Sequence, residues 1–400
     1  MNPVITGLDP IKLTAIDSIA TDAIAKGITP GCVVLVARDG RIAYHKAFGN
    51  FDYGKYEPVD PAAIYDMASV TKICATTLAL MKLYDEGKFD LKKRLGDYLP
   101  WVRGSNKENI LMEDLLLHQG GLVSFIPFYK ETISPDGVPL FKYYSPYQNA
   151  SFNIRVAENI FMRNDWRDTM YKRILQSPLK ETGRYIYSDN DFIFLGKVVE
   201  AISGMPLDEY VEKEFYKPLG LRSTAFKPRQ HNFDLTHIAP TEQEKYFRLQ
   251  HIRGDVHDPG AAMFGGVAGH AGLFSNATDM ASIMEMLLDG GAFNGKTYIK
   301  KETIQLFTSY HSSISRRGYG FDKPEKDNAT RPEPYPCLLN SPLTFGHTGF
   351  TGTCLWADPA QRLVFVFLSN RINPDSENKK LLTMNIRGKI MEAVYKAMGL

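Results

Sequence analysis

The sequence predicts an α/β protein of the α+β type, with an antiparallel β-sheet drawn from both chain ends, flanked by helices, and a mostly helical subdomain inserted between them. Three observations carry this. Near the start, "GCVVLVARDGRIAYHKAFGNFD" sets two β-rich runs on either side of Asp39-Gly40, a strong hairpin signal. Near the end, "TGTCLWADPAQRLVFVFLSNR" reads as a second hairpin turning at Asp358-Pro359. Helical patterns and loops fill the space between, which segregates helices from the terminal strands.

The elements follow in order. Residues 11 to 27 read as an amphipathic helix closed by Gly27. After the first hairpin, residues 70 to 86 read as one apolar helix. A further helix ends at "EDLLLHQGGL", and two more lie within "NDFIFLGKVVEAISGMPLDEYVEKEFYKPLGL". Residues 125 to 180 are irregular and aromatic-rich, and residues 322 to 342, with five prolines, read as a surface loop. The stretch 376 to 399 reads as a closing helix. The expected organisation is one unit spanning 1–400. Residues of roughly 1–65 and 343–400 form the sheet subdomain, and roughly 66–342 form the helical and loop subdomain.

Composition narrows the function classes. Hydrophobic residues make up 44% and charged residues 23%, ordinary for a globular chain, and the net charge is +2. No long Lys/Arg run marks a nucleic-acid partner. No apolar stretch approaches the roughly 20 residues that span a bilayer. The start has no basic segment followed by an apolar one. The four cysteines, Cys32, Cys74, Cys337 and Cys354, form no C-x-x-C pair, and Cys32 and Cys74 read as buried small hydrophobes.

The chemistry centres on "YDMASVTKICATTLALMKLYDEGK". Ser69 and Lys72 stand three residues apart at the head of the apolar helix, so they share a face. A serine hydroxyl is a poor nucleophile until something takes its proton. A lysine stripped of water gains neutral population and can accept one. The competing reading is a core ion pair, for instance with Asp66. Two other S-x-x-K strings, Ser177/Lys180 and Ser376/Lys379, lie in loop-like or polar surroundings. Two further clusters bear on the choice: Tyr187-Ser188-Asp189-Asn190, and His347-Thr348-Gly349 with the N–H of Phe350 beyond it.

Together, S-x-x-K, Y-[SA]-[ND] and [KH]-T-G in this order resemble the serine β-lactamases and penicillin-binding proteins. The H-T-G form, "GHTGFTG", resembles the class C β-lactamase-like branch, with its esterases and D-alanyl-D-alanine carboxypeptidases. Supporting strings are "LLLHQGGL", "YSDNDFIFLGKVVEAISG" and "GGVAGHAGLFSNATDMA". The resemblance implies a β-lactamase/transpeptidase-like fold and a serine hydrolase that acts through a covalent acyl-enzyme. The implied substrate is an ester or amide, either a small molecule or a peptidoglycan-derived peptide. It implies no metal or organic cofactor. It also implies an extracytoplasmic setting, reached by a signal absent from these 400 residues, with a cytoplasmic setting as the alternative.

Carried over by the resemblance, Ser69 is the nucleophile, and Lys72 the base or the cation that tunes it. Tyr187 relays the proton. His347 stands where a lysine usually does, and Asp189 where an asparagine faces the substrate amide. Thr348 and Gly349 flank the substrate, and the N–H groups of Ser69 and Phe350 form the oxyanion hole. Ser188-Asp189-Asn190 also spells S-D-N, the class A motif, which would make Ser188 the relay; Tyr187 fits the H-T-G branch. His347 and Asp189 depart from the usual residues and weaken recognition of an anionic substrate. They also leave open a weak β-lactamase, or a non-catalytic module that binds penicillin or peptidoglycan fragments. His118 reads as a structural cation at a helix end. His257, Asp258 and His270 match no standard metal spacing and read as active-site floor. Arg184 and Arg253 read as solvated, and the aromatics of 125–180 as packing or as a wall over the pocket.

Overall fold

The computed structural model describes residues 3–181 and 183–400. Helix α1 (Pro10–Ala25) opens on Asp9, whose carboxylate accepts the N–H groups of Ile11 and Lys12, and Gly27 follows it with φ +63°. Strands β1 (Gly31–Arg38) and β2 (Arg41–Gly49) form the first hairpin. Asp39 and Gly40 have φ of +51° and +71°, as a two-residue turn matched to strand twist requires. Near the C-terminus lie β3 (Phe345–Thr348), β4 (Cys354–Asp358) and β5 (Leu363–Ser369). The sheet order is β3-β4-β5-β1-β2, antiparallel throughout, so the two chain ends meet where β1 pairs with β5.

Alternation along the strands feeds two cores. Cys32, Val34, Val36, Phe365 and Phe367 face α1 and the C-terminal helix. Val33, Leu35, Val364, Val366 and Leu368 face the larger core of the inserted region. That region holds α2 (Leu78–Asp85), α3 (Met112–Leu116), α4 (Asp189–Ser203) and α5 (Ala277–Leu288), and α5 lies against β1, β4 and β5.

Several predicted elements differ in detail. The helix expected over 70–86 is composite: a 3₁₀ turn at Ala68–Val70, a π-helical stretch at Lys72–Thr77, then α2. Its first turns are held from outside, because Thr76 Oγ1 donates to Gly269 O and Thr71 Oγ1 accepts from Leu273 N. Within the stretch expected to be irregular, Phe152–Ala157 and Ile160–Arg163 form a hairpin and Trp166–Gln176 a helix. The turn uses Asn159 at φ +54°, a weaker signal than Asn-Gly. The C-terminal stretch is two helices, Lys380–Thr383 and α6 (Ile386–Ala397), because Asn385 takes φ +47° between them. The proline-rich segment is not wholly a surface loop, since Asp322, Lys323, Cys337 and Asn340 are buried.

One buried acid on α5 gives a pH-dependent expectation. Glu285 is 7% exposed, and burial, reinforced by Asp289 and Asp39, pushes its pKa from 4.5 up to about 7. A carboxyl whose folded pKa is raised costs stability as pH climbs from the unfolded value toward the folded one. Glu285→Gln is therefore expected to stabilise by about 1–2 kcal/mol at pH 8 and by almost nothing at pH 4. Thermal denaturation at the two pH values checks this, and equal shifts would contradict it.

Candidate active site

Ser69 sits in a rigid corner. The two-residue strand Tyr65–Asp66 pairs with Phe274–Ser275, and the chain then turns through Ala68, which holds φ +47°. That conformation costs an alanine about 1 kcal/mol. Asp66, 3% exposed, sustains it: one carboxylate oxygen accepts the Ala68 N–H at 2.8 Å, the other the His257 N–H at 2.7 Å. Asp66 is thus committed to backbone and is not the partner of Lys72.

Lys72 is fully buried. Its Nζ donates to Ser69 Oγ at 2.9 Å, Asp189 Oδ1 at 2.7 Å and His270 O at 3.3 Å, and lies 4.9 Å from the Tyr187 ring centre. Burial alone would push its pKa down, but Asp189 and then Tyr187 more than offset this and leave it raised. Lys72 is therefore an ammonium. Of the two readings of Lys72, base or tuning cation, the ion pair with Asp189, 117 residues away in sequence, favours the cation.

The carbonyl of His270 reaches Lys72 because two backbones nearly touch. A Cβ on Gly196 would lie 3.0 Å from Gly269 Cα, and one on Gly269 only 1.9 Å from Phe192 O. Small residues at both positions let the 269–270 turn sit against α4.

The Tyr187–Asn190 cluster separates by role in the fold. Ser188 is the N-cap of α4: its Oγ accepts from Asn190 N and donates to Val123 O at 2.7 Å. Asn190 Nδ2 donates to the same carbonyl, and only Tyr187 and Asp189 turn toward Lys72. His118 packs 4.5 Å from the Tyr187 ring, centre to centre. Its Nδ1 accepts the Ser188 N–H at 3.3 Å and lies 2.7 Å from Asp191 Oδ2. Burial lowers the His118 pKa and raises that of Asp191, so neither group favours its charged form. His118 is structural as expected, but not as a cation.

The loop after β3 is stitched to the Ser69 corner. Thr351 Oγ1 donates to Asp66 O and Thr353 Oγ1 to Met67 O. A Cβ on Gly349 would lie 2.6 Å from Met67 O, so only glycine lets the strands close. Among the described residues the Phe350 N–H has no partner. His347 is 2% exposed; its Nδ1 donates to Thr348 O at 2.7 Å, and its ring lies 6.1 Å from that of Tyr187. Burial, then the charge of Arg317, pushes its pKa down to about 3, which leaves a neutral imidazole.

A cavity of about 560 Å³ opens over Ser69. Tyr187, Asp189, Asp258 and His270 line its polar side, and Phe125, Tyr129, Tyr246 and Phe350 its aromatic side. Among the described residues no lysine or arginine lines it. Of the aromatic-rich insertion, Phe125 and Tyr129 reach this wall, while Trp166 packs elsewhere, on Tyr143. Asp189, Asp258 and His270 offer ligand atoms within 4.8 Å of one another. Asp189 is already paired with Lys72, and Asp258 with His270 at 2.8 Å, while His257 bonds Glu242 instead. Arg184 is exposed beside Glu181, but Arg253 is tied to the carbonyls of Ile238 and Thr236. Ser177 closes a helix, and Ser376 lies at the cavity rim with Lys379 paired to Glu377 in solvent. The residue sequence reasoning missed is Arg317, buried against Tyr187. Two adjacent arginines in a loop carry no spacing signal that would have marked it.

The description of the matching family is "Beta-lactamase", over residues 16–385. A protein of Escherichia coli (strain K12) named "Putative D-alanyl-D-alanine carboxypeptidase" is 33% identical, over 92% of this chain and 84% of its own. A Salmonella typhimurium (strain LT2) protein of the same name is 32% identical, over 97% and 91%. Among solved structures, "EstCE1, a hydrolase with promiscuous acyltransferase activity" shares the fold at TM-score 0.69 and 21% identity, over 96% of this chain and 98% of that one. A penicillin-binding protein homologue from Caulobacter crescentus does so at TM-score 0.68 and 19% identity, over 98% and 99%. No helix among the described residues is long and apolar enough to cross a membrane. With a family match along nearly its whole length and relatives this similar, the chain belongs to the beta-lactamase family of serine hydrolases.

Proposed function

We propose that this protein is a serine hydrolase that acts through a covalent acyl-enzyme on esters or amides, with Ser69 as nucleophile. The observation that carries the reading is the contact of one buried ammonium with the Ser69 hydroxyl, the Asp189 carboxylate and the Tyr187 ring, at the floor of an open cavity.

In this reading Ser69 Oγ bonds to the acyl carbon while its proton passes to the Tyr187 oxygen. Tyr187 delivers its own proton to the leaving oxygen or nitrogen as that bond breaks. Lys72 stays an ammonium throughout and stabilises negative charge at both oxygens. The N–H groups of Ser69 and Phe350 hold the carbonyl oxygen as it becomes an oxyanion. Water then repeats the sequence in reverse and frees the acid. Thr348 and Gly349 edge the substrate, and His347 contributes a neutral ring beside Tyr187.

The cavity supports a donor without a carboxylate at the reacting end. Among the described residues no lysine or arginine lines its walls, the Lys72 ammonium at its floor is already paired with Asp189, His347 is neutral, and Asp258 adds negative charge. The aromatic wall suits a bulky apolar or glycan-like acyl group. A cell-wall peptide is the second reading, and the name of the E. coli relative, "Putative D-alanyl-D-alanine carboxypeptidase", favours it. A screen of p-nitrophenyl esters, nitrocefin and muropeptides separates the two. Burst kinetics on the esters, with fluorophosphonate labelling of Ser69, is the expected result. Release of D-alanine without ester turnover would reverse the order of the readings.

The relay assignment has its own test. Tyr187→Phe is expected to lower kcat on the order of 10²-fold, with KM little changed. Ser188→Ala removes the N-cap and the hydrogen bond to Val123 O, and is expected to cost about 1–2 kcal/mol of stability with kcat within a few-fold. The opposite pattern would assign the relay to Ser188.

A further inference from the structure

Arg317 is a buried cation that the mechanism above leaves unused. It is 3% exposed and stands in the loop between the helix Lys301–Thr308 and β3. Its guanidinium carbon lies 5.3 Å from the Tyr187 ring centre and 5.8 Å from that of Tyr185, and its Nε donates to Tyr185 Oη at 3.2 Å. Its Nη1 is buried without a hydrogen-bond partner.

The carboxylate that would neutralise Arg317 is mostly taken. Asp322 accepts Arg316 through both oxygens, at 2.7 and 3.1 Å, and the Tyr335 hydroxyl at 2.7 Å. Arg317 reaches Asp322 only at 3.7 Å. Arg316 is further paired with Glu325 at 2.6 Å. Asp322 thus supplies one negative charge to two guanidiniums, Arg316 and Arg317, and Glu325 answers only Arg316, so the pair keeps positive charge on the side of the tyrosines. The group is also tied to the strand that carries His347, because Asp322 and Gly346 exchange both backbone hydrogen bonds, at 2.8 and 3.0 Å. Such a tether keeps the guanidinium in place relative to β3.

Around Tyr187 the titratable and charged neighbours are Lys72, Asp189, His118 with Asp191, His347 and Arg317. Lys72 is paired with Asp189, and the two histidines are neutral. We infer that Arg317 is a positioning residue that holds a fixed positive charge 5.3 Å from the Tyr187 ring centre and acts on the reaction through that phenol. This rests on the acyl-enzyme reading. In that reading charge on the phenol oxygen grows while it exchanges protons, and a guanidinium near the ring stabilises that state more than the resting phenol.

The test is a double-mutant cycle on an ester with a poor leaving group, such as a phenyl ester, with thermal melting of every variant. Arg317→Met is expected to lower kcat about 10- to 100-fold with KM within about threefold. Arg317→Lys is expected to recover most of that loss. Arg317→Gln keeps a donor for Tyr185 without the charge, and replaces the methionine variant if that one melts below the assay temperature. Adding Arg317→Met or Arg317→Gln to Tyr187→Phe is expected to cost nothing further, because the charge acts only through the phenol. Equal rates for the glutamine and lysine variants, or full additivity with Tyr187→Phe, would overturn the role of Arg317 while leaving the hydrolase reading intact. A wild-type protein that neither labels at Ser69 nor turns over ester would overturn both.

Discussion

Replacing Ser69 by alanine is expected to lower kcat/KM for a p-nitrophenyl ester by at least about 10⁴-fold and to abolish fluorophosphonate labelling. The fold should be untouched. Ser69 Oγ enters the hydrogen-bond network as the acceptor from Lys72, and the corner that holds it is built from Asp66, Ala68 and the loop after β3. Intact protein mass after incubation with a slow ester is the direct measurement. The wild type should gain one acyl group, and Ser69→Ala none. An alanine variant that hydrolysed the ester at the wild-type rate would show that the hydroxyl does no chemistry.

Lys72→Met is expected to lower kcat by about 10³-fold or more and to destabilise the protein by about 2 kcal/mol. The two losses have different origins. The rate falls because negative charge at Ser69 Oγ and Tyr187 loses its nearest cation. Stability falls because Asp189 keeps its charge without a partner at 2.7 Å. Asp189, at 22% side-chain exposure, retains some water, which keeps the penalty well below that of a sealed ion. The double variant Lys72→Met/Asp189→Asn is accordingly expected to regain most of the stability and none of the rate. The raised pKa of Lys72 sets the pH window. The pair is fully formed below the ordinary lysine value of 10.5 and lost only at more alkaline pH, so the stability difference should be flat from pH 6 to 9. Recovery of activity in the double variant would overturn Lys72 as the stabilising cation.

Much of the fold is legible in the sequence for local reasons. The Asp39-Gly40 turn, the alternating runs of β1 and β5 and the N-cap Asp9 each sit within a few residues of the structure they specify. Departures arise where distant groups intervene. The helix after Ser69 is π-wound where Thr76 is held by Gly269, and the last helix breaks at Asn385, whose side chain packs on Gly388. The candidate site divides in the same way. Ser69 and Lys72 are neighbours by helical spacing, so their contact follows from the sequence. The S-D-N string is ambiguous on paper, because capping and proton relay use the same residue types, and only the hydrogen bond from Ser188 to Val123 O distinguishes them.

By itself, the sequence determined the family, the antiparallel sheet that joins the two chain ends, and the short motifs that carry the proposed catalytic residues, because each of these is written in local patterns and in ordered short motifs. Only the tertiary structure decided their charge states. Lys72 is an ammonium because Asp189 lies against it, His347 is neutral because it is buried near Arg317, and the Asp66 carboxylate belongs to backbone N–H groups. The physical reason is that a buried group's protonation depends on desolvation and on charges a few ångströms away, and in this fold those charges come from other segments of the chain, as Asp189 does for Lys72 from 117 residues away.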